Sequence, residues 1–223
     1  MKFEAIIFDF DGVIVDSEAV ANAALAEVLT ERGHELTGEE AVARYSGLRW
    51  IDCHRKIEED SGLSFDPEEL GRAVDEAVAA RTAEMLAIEG IEPFLAAHGH
   101  RKLAIASSSE TIWLEATLAR LGLTAYFESR LFSAAGFPRG KPHPDIYLHA
   151  AERLGIVSNK CLVIEDHPVG VAAGAAAGMT VIALLAASHI REGHDERVRA
   201  AGAHHVARDY KEVAEIVDRL ERG

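Results

Sequence analysis

The chain has 223 residues, 48% of them apolar, and a formal net charge of −14 at pH 7. This length and composition suffice for a sizeable buried core, and the absence of a run of Lys and Arg argues against nucleic-acid binding. No apolar stretch reaches the roughly 18 residues of a membrane span, and Cys53 and Cys161 lack metal-ligand spacing, so the sequence indicates a cytoplasmic globular protein with reduced thiols.

The first predicted element is an apolar strand over residues 4–10, which carries Asp9 near its end and is followed at once by Asp11. Because successive strand side chains alternate between faces, Asp9 and Asp11 are expected to lie on the same side with their charges adjacent. Such a pair requires a neutralising cation.

A block of helices is predicted next, because residues 18–88 are rich in Ala, Glu and Arg and poor in β-branched residues. Ser17 is the candidate N-cap of its first helix, and Asp66 followed by Pro67 marks the start of its last. The first strand has no partner before this block. The block is therefore predicted to be a helical insertion within a later sheet.

From residue 93 onward, strand-like apolar runs alternate with helical segments, such as "KLAIAS" before "TIWLEATLARLG" and "CLVIED" before "PVGVAAGAAAG". This alternation predicts a doubly wound parallel sheet with helices on both faces. The predicted fold is therefore α/β, with a core domain of residues 1–16 and 89–223 and an inserted all-helical cap domain of residues 17–88.

Polar residues stand where the predicted strands end, which is where ligands bind in open parallel sheets. Ser107 and Ser108 end one run, Glu165 and Asp166 end another, and Lys141 lies in the loop "RGKPHPD". Carboxylates that converge at this edge repel by about 4 kcal/mol per pair at about 4 Å and an effective dielectric of about 20. Ligands that are all oxygen favour a hard ion, so Mg²⁺ together with Lys141 is expected to neutralise them.

This set of residues suits phosphoryl transfer. A carboxylate such as Asp9 can attack phosphorus as a nucleophile, and Asp11, two residues along, can protonate the leaving oxygen and then activate water. Hydroxyl groups, backbone N–H groups and a lysine would hold the phosphoryl oxygens. The expected substrate is a small phosphate monoester.

Four motifs carry a resemblance to a known family: "FDFDGVIVDSE", "IASSS", "GKPHPDIY" and "VIEDHPVGVAAGAAAGM", in this order. With them the chain resembles the haloacid dehalogenase superfamily, specifically its β-phosphoglucomutase-like phosphatases with a helical cap on a Rossmann-like core. The resemblance implies Asp9 as nucleophile, Asp11 as acid/base, and Ser107 and Lys141 as phosphate holders. It implies a Mg²⁺ site formed by Asp9, Glu165, Asp166 and the backbone carbonyl of Asp11.

Two alternatives remain open within this interpretation. The phosphoglucomutases carry a histidine twelve residues after the nucleophile, where this chain has Ala21, so a phosphatase is favoured over a mutase. A non-catalytic phospho-acceptor domain is disfavoured by the helical insertion and by Asp11. His167 stands where the family often has serine, with an effect on the metal site that the resemblance does not define.

Substrate contacts are expected from Gly47, Arg49 and Ser108, because the resembling enzymes place recognition residues after the corresponding glycine. An arginine suits an anionic or hydroxylated substrate, which favours a sugar or polyol phosphate, although a surface role for Arg49 and a core role for Trp50 are equally compatible with the sequence. Nucleic acid and membrane are not expected partners. The expected oligomeric state is a monomer or weak dimer.

Overall fold

The computed structural model describes residues 2–222 and contains one sheet of six parallel strands. In chain order the strands are β1 (Ala5–Phe8), β2 (Lys102–Ser107), β3 (Leu131–Ser133), β4 (Cys161–Glu165), β5 (Thr180–Leu184) and β6 (His205–Ala207). Their spatial order is β3-β2-β1-β4-β5-β6, so β1 pairs with β2 on one side and β4 on the other. The prediction that the first strand joins the later sheet is confirmed.

Eleven α-helices of the described chain accompany the sheet. Five of them lie between β1 and β2, and the first four of these are α1 (Glu18–Glu31), α2 (Gly38–Tyr45), α3 (Trp50–Ser61) and α4 (Pro67–Ala79). The others are α5 (Ile91–His98), α6 (Thr111–Leu121), α7 (Thr124–Phe127), α8 (Asp145–Leu154), α9 (Pro168–Ala176), α10 (His194–Ala200) and α11 (Tyr210–Arg222). None of the helices in residues 2–222 combines the length and apolar character needed to cross a membrane.

The sheet is buried on both faces, as predicted for a doubly wound α/β fold. Ile6 and Phe8 of β1 pack with α5, α6, α7 and α11, whereas Ala5 and Ile7 point to the opposite face and pack with α8, α9 and α10. Each fully buried large apolar side chain contributes about 1.5–3 kcal/mol to folding. This two-sided core holds the carboxyl ends of the central strands in place.

The helices α1–α4 enclose an apolar cluster of their own, which includes Leu29, Ile57 and Leu70. The Asp66 carboxylate accepts hydrogen bonds from two N–H groups in the first turn of α4, directly before Pro67, as the sequence predicts. These helices are named here the helical insertion. The domain boundaries at residues 16/17 and 88/89 stay a prediction.

The chain leaves the sheet earlier than the sequence indicates. β1 ends at Phe8 rather than at residue 10, and a tight turn follows in which Ile14 donates to the Phe10 carbonyl at 2.8 Å and Gly12 has a φ of 81°. Strand alternation therefore does not place Asp9 and Asp11 on one face. The expectation that the two carboxylates point the same way because they share a strand is wrong.

Ser17 also differs from its predicted role. It precedes α1, but its side chain makes no capping hydrogen bond to the helix. Instead, the Ser17 hydroxyl donates to Asp11 Oδ1 at 2.5 Å. The predicted cap residue lies directly before the helix, but the Asp11 carboxylate, six residues earlier, determines where the hydroxyl points.

Both cysteines are buried free thiols. Burial raises the pKa of Cys53 to about 12 and that of Cys161 to about 11. The thiolate is the reactive form of cysteine, so these side chains act as small apolar groups in the core.

Candidate active site

The candidate site lies at the carboxyl end of the sheet, where β1 and β4 end side by side. Phe8 pairs with Ile164 in the parallel register, and the Asp9 N–H continues the ladder by donating to the Ile164 carbonyl at 2.9 Å. This pairing places Asp9 next to Glu165, the last residue of β4. The two carboxylates meet because each follows the buried part of its strand.

Lys141 enters between these carboxylates from the loop before α8. Its Nζ lies 2.6 Å from Asp9 Oδ1 and 2.7 Å from Glu165 Oε1, and its side chain is only 3% exposed. Burial lowers the pKa of Lys141, but Asp9 and Glu165 outweigh burial and raise it well above its usual value. Lys141 is therefore a fixed positive charge at the end of β1.

One lysine does not balance the acidic groups around it. Asp9, Glu165 and Asp166 are all buried, and each has a carboxylate oxygen within 4.8 Å of those of the other two. Burial, together with the Glu165 charge, raises the pKa of Asp9 well above its usual range, and burial raises that of Asp166 to about 7. This surplus of negative charge on an all-oxygen donor set fits a hard divalent cation such as Mg²⁺.

Glu165 is held by four donors. Its Oε1 accepts from Lys141 and from the Tyr147 hydroxyl at 3.0 Å, while its Oε2 accepts from the N–H groups of Asp166 and His167, each at 3.0 Å. The first turn of α9 approaches closely on the remaining side, since a Cβ on Gly170 would lie 1.5 Å from Glu165 Oε1. Only glycine at position 170 leaves room for this arrangement.

The substitution Gly170→Ala is accordingly expected to destabilise the protein by about 1–3 kcal/mol, the usual cost of overpacking a buried site. Alanine normally stabilises a helix by about 0.5–1 kcal/mol relative to glycine, so the expected effect has the opposite sign to helix propensity. Urea unfolding measures it. Gly136→Ala is the control, because a Cβ there meets nothing within 4 Å; equal stability of the two variants would contradict the close packing against Glu165.

Asp11 is not one of these three clustered carboxylates and has other partners. Its carboxylate accepts from the Ser17 hydroxyl on one oxygen and from the Ser109 hydroxyl, at 2.6 Å, on the other. Burial and the nearby Glu18 charge raise the pKa of Asp11 above its usual value. A carboxyl group with a raised pKa retains its proton closer to neutral pH, which suits proton transfer.

The residues predicted to contact phosphate or substrate lie where the helical insertion meets the sheet. Ser107 is buried at the end of β2, and its hydroxyl oxygen accepts from the Ser109 N–H at 3.0 Å. The Ser108 hydroxyl donates to the Gly47 carbonyl at 3.3 Å. A hydrogen bond therefore joins the end of β2 to the segment between α2 and α3.

Arg49 spans the same junction. Its Nη1 donates to the Phe137 carbonyl at 2.6 Å, and its Nε donates to Asp52 Oδ2 at 2.8 Å. The guanidinium group is therefore bound to the loop that leads to Lys141. The structure gives Arg49 a contact between the insertion and the core, and its predicted role with substrate stays a prediction.

Comparison with known proteins decides the family. Residues 3–178 match the model of the haloacid dehalogenase-like hydrolases. The chain belongs to this family. The family predicted from the four sequence motifs is confirmed.

Relatives of this haloacid dehalogenase-like hydrolase include named phosphatases. The chain is 32% identical over 187 residues to the fructose-1-phosphate phosphatase of Escherichia coli. The aligned region covers 81% of this chain and 96% of that protein. The chain is 29% identical over 189 residues to the 6-phosphogluconate phosphatase of the same organism, with coverage of 84% and 85%. The predicted enzyme class, a haloacid dehalogenase-like phosphatase, is confirmed.

Solved structures of the same family superpose over nearly the whole chain. A haloacid dehalogenase-like protein of Agrobacterium tumefaciens is 31% identical, with a TM-score of 0.82 and coverage of 98% of this chain and 99% of that one. A haloacid dehalogenase family hydrolase of Deinococcus radiodurans, solved with bound phosphate and sodium, is also 31% identical, with a TM-score of 0.77 and coverage of 98% and 96%. A β-phosphoglucomutase of Clostridium difficile, 21% identical with a TM-score of 0.82 and coverage of 99% and 98%, shares the fold.

Several residues that line the site of this hydrolase escaped sequence reasoning. Tyr147 binds Glu165, and its ring lies 5.1 Å from Lys141 Nζ. His189, from the segment between β5 and α10, and His194, the first residue of α10, both contact Asp166. The position of this segment just past a strand's carboxyl end was the one available signal, because the histidines themselves have no metal-ligand spacing.

His167, which stands where the family often has serine, is the N-cap of α9. Its Nδ1 accepts the Val169 N–H at 3.3 Å, and burial lowers its pKa to about 4. A Cβ on Gly47 would lie 2.9 Å from the same Nδ1, so the ring also packs against the segment between α2 and α3. His167 is thus a neutral helix cap beside the site.

Proposed function

We propose that this hydrolase is a Mg²⁺-dependent phosphatase that removes phosphate from a small phosphorylated sugar or polyol through an aspartyl-phosphate at Asp9. The observation that carries the proposal is the buried Asp9 carboxylate, which is hydrogen-bonded to Lys141 inside an acidic group at the carboxyl end of the sheet. The names of the related phosphatases support the substrate class.

In the first step, an Asp9 oxygen attacks the substrate phosphorus, and the bond between phosphorus and the ester oxygen breaks. Asp11 gives its proton to the departing oxygen, so the product leaves as an alcohol. In the second step, Asp11, now a carboxylate, takes a proton from water as the water oxygen attacks phosphorus. The Asp9–phosphorus bond breaks, inorganic phosphate leaves, and both aspartates return to their starting forms.

Lys141 and Ser107 are proposed to hold the phosphoryl group. Lys141 supplies a fixed positive charge, and the Ser107 hydroxyl, whose oxygen already accepts the Ser109 N–H, retains its proton for donation to a phosphoryl oxygen. Donors that are held in place before the substrate arrives need no rearrangement when negative charge moves in the transition state.

Asp9, Glu165, Asp166 and the backbone carbonyl of Asp11 are the proposed Mg²⁺ ligands. When bound, Mg²⁺ would supply positive charge that offsets these carboxylates and stabilises the oxygens of the transferring phosphoryl group. Ala21 in place of the mutase histidine supports hydrolysis over the mutase alternative. Repeated turnover would also distinguish the enzyme from a non-catalytic phospho-acceptor.

Phosphate release from a panel of compounds tests this function. The panel contains fructose 1-phosphate, 6-phosphogluconate, hexitol phosphates, phosphoglycolate, nucleotides and pyrophosphate, each with Mg²⁺ and with chelator. We expect many turnovers with a sugar or polyol phosphate when Mg²⁺ is present. In chelator the rate is expected to fall by about 10²-fold or more, because the carboxylates then lack their counter-charge. Release that persists without metal would contradict the proposal, and a single turnover would indicate a phospho-acceptor.

Arg49→Ala is expected to lower kcat/KM for the preferred substrate by about tenfold or more, since hydrogen bonds to charged groups contribute about 1.5–3 kcal/mol. The change removes the bonds to Phe137 and Asp52 that join the insertion to the loop before Lys141. Steady-state kinetics measure it. Arg44→Ala is the control, because that arginine pairs with exposed Glu40 on the surface of the insertion; equal kcat/KM for both variants would remove Arg49 from the proposed site.

A further inference from the structure

Two histidines, one from the segment between β5 and α10 and one at the start of α10, contact Asp166 at two different atoms. His189 Nε2 lies 3.2 Å from Asp166 Oδ2, within ion-pair distance but outside hydrogen-bond geometry, and His194 Nε2 is 2.7 Å from the Asp166 backbone carbonyl. Both histidine rings are buried, at 4% and 5% exposure. One histidine therefore contacts the carboxylate, and the other contacts the main chain of the same residue.

The chemistry of its neighbours determines the protonation of His194. A backbone carbonyl only accepts hydrogen bonds, so Nε2 carries a proton and donates it to Asp166. The other ring nitrogen, Nδ1, lies 3.0 Å from an Arg197 guanidinium nitrogen, which only donates. His194 is thus a neutral ring with both nitrogens in use, oriented between α10 and Asp166.

His189 is confined on the opposite side. A Cβ on Gly12 would lie 1.8 Å from Asp166 Oδ2 and 3.1 Å from His189 Cε1, so the ring and the carboxylate both pack against the Gly12 backbone. Next to it, Ser188 is tied to the turn after β1, because its N–H and hydroxyl donate to the Asp16 carboxylate at 3.1 Å and 2.9 Å. The segment is therefore anchored directly before His189.

We infer that His189 and His194 are positioning residues for the metal site, which fix the direction of the Asp166 carboxylate before a metal ion arrives. This inference rests on the proposed function, because it assigns Asp166 to the metal. Neighbouring groups that orient an acidic metal ligand strengthen metal binding, and loss of such a group typically weakens binding by about 10–100-fold. His189 acts on the metal through Asp166 and touches no substrate.

The inference is tested by the binding of Mn²⁺, used in place of Mg²⁺, to the substrate-free protein. The binding is measured by calorimetry and by electron paramagnetic resonance. His189→Asn is expected to raise the Kd about tenfold or more, because asparagine is too short to keep the 3.2 Å contact. His189→Gln, which is longer and keeps a donor, is expected to recover part of the affinity. His98→Asn is the matched control, since that buried histidine bonds Phe94 of α5 instead.

The melting temperature of the metal-free proteins separates positioning from a merely structural role, since positioning changes the Kd at unchanged melting temperature. A His189→Asn protein that binds Mn²⁺ as tightly as wild type overturns the inference. If this variant does not fold, Asp16→Ala is measured instead, because it removes only the surface contact that anchors the segment. A raised Kd for Asp16→Ala supports the inference, and an unchanged Kd overturns it. If the wild-type protein does not bind Mn²⁺, the proposed metal dependence itself is overturned. If Asp166→Asn weakens Mn²⁺ binding but His189→Asn leaves it unchanged, only the role of His189 is overturned.

Discussion

Asp9→Asn is expected to lower the rate of phosphate release by at least about 10⁴-fold, because an amide oxygen does not replace a carboxylate as nucleophile. The fold is expected to survive. Asparagine has nearly the same shape as aspartate, and Lys141 keeps its other anionic partner, Glu165, at 2.7 Å. Initial rates with Mg²⁺ and the melting temperature of the same sample measure both effects.

Asp218→Asn is the matched control for this experiment, because Asp218 is exposed on α11, far along the chain from the site. It is expected to retain wild-type rates. An Asp9→Asn protein that is folded and still releases phosphate at wild-type rate would remove Asp9 from the role of nucleophile. Asp9 and Asp11, the acidic residues after β1, would then have a metal-binding role alone.

Lys141→Met is expected to lower both activity and stability. The variant leaves Asp9 and Glu165 buried without the ammonium group that bonds them both, and removal of one partner from a buried ion pair costs about 3–5 kcal/mol. Activity is expected to fall by about 10²–10³-fold, the usual loss when one donor to a developing charge is removed. Urea unfolding in chelator and phosphate release with Mg²⁺ measure the two losses.

Addition of Mg²⁺ sharpens the test of Lys141. The metal is expected to restore part of the lost stability of Lys141→Met, because it supplies positive charge to the same carboxylates, without restoring the rate. Lys211→Met, on the exposed side of α11, is the control and is expected to match wild type in both measurements. Unchanged unfolding of Lys141→Met in chelator would mean that the buried pair contributes nothing to stability.

Much of the fold was predictable because its signals are local. The apolar run of β1 and the alternation of strands with helices after residue 93 identify a doubly wound sheet, and Asp66 with Pro67 marks the start of α4 within one residue. The family was equally predictable, because its motifs lie in short segments at strand ends. Backbone propensity and hydrophobic periodicity act over a few residues, so a sequence displays them directly.

Several contacts that shape the site join distant parts of the chain, and sequence reasoning did not predict them. Arg49 binds Phe137 across 88 positions of the chain. His189 was not singled out at all. Each depends on which loops the sheet brings to one edge, and no window of neighbouring residues records that.

The sequence by itself therefore determined the α/β class, the helical insertion between the first two strands, the family, and the acidic, hydroxyl and lysine residues that stand at strand ends. Only the tertiary structure decided that Lys141 lies between Asp9 and Glu165, although it is 132 positions from Asp9. It also decided that one histidine contacts the Asp166 carboxylate and another the Asp166 backbone carbonyl. The reason is physical: local patterns specify elements, whereas the packing of elements specifies which charges meet and how they are neutralised.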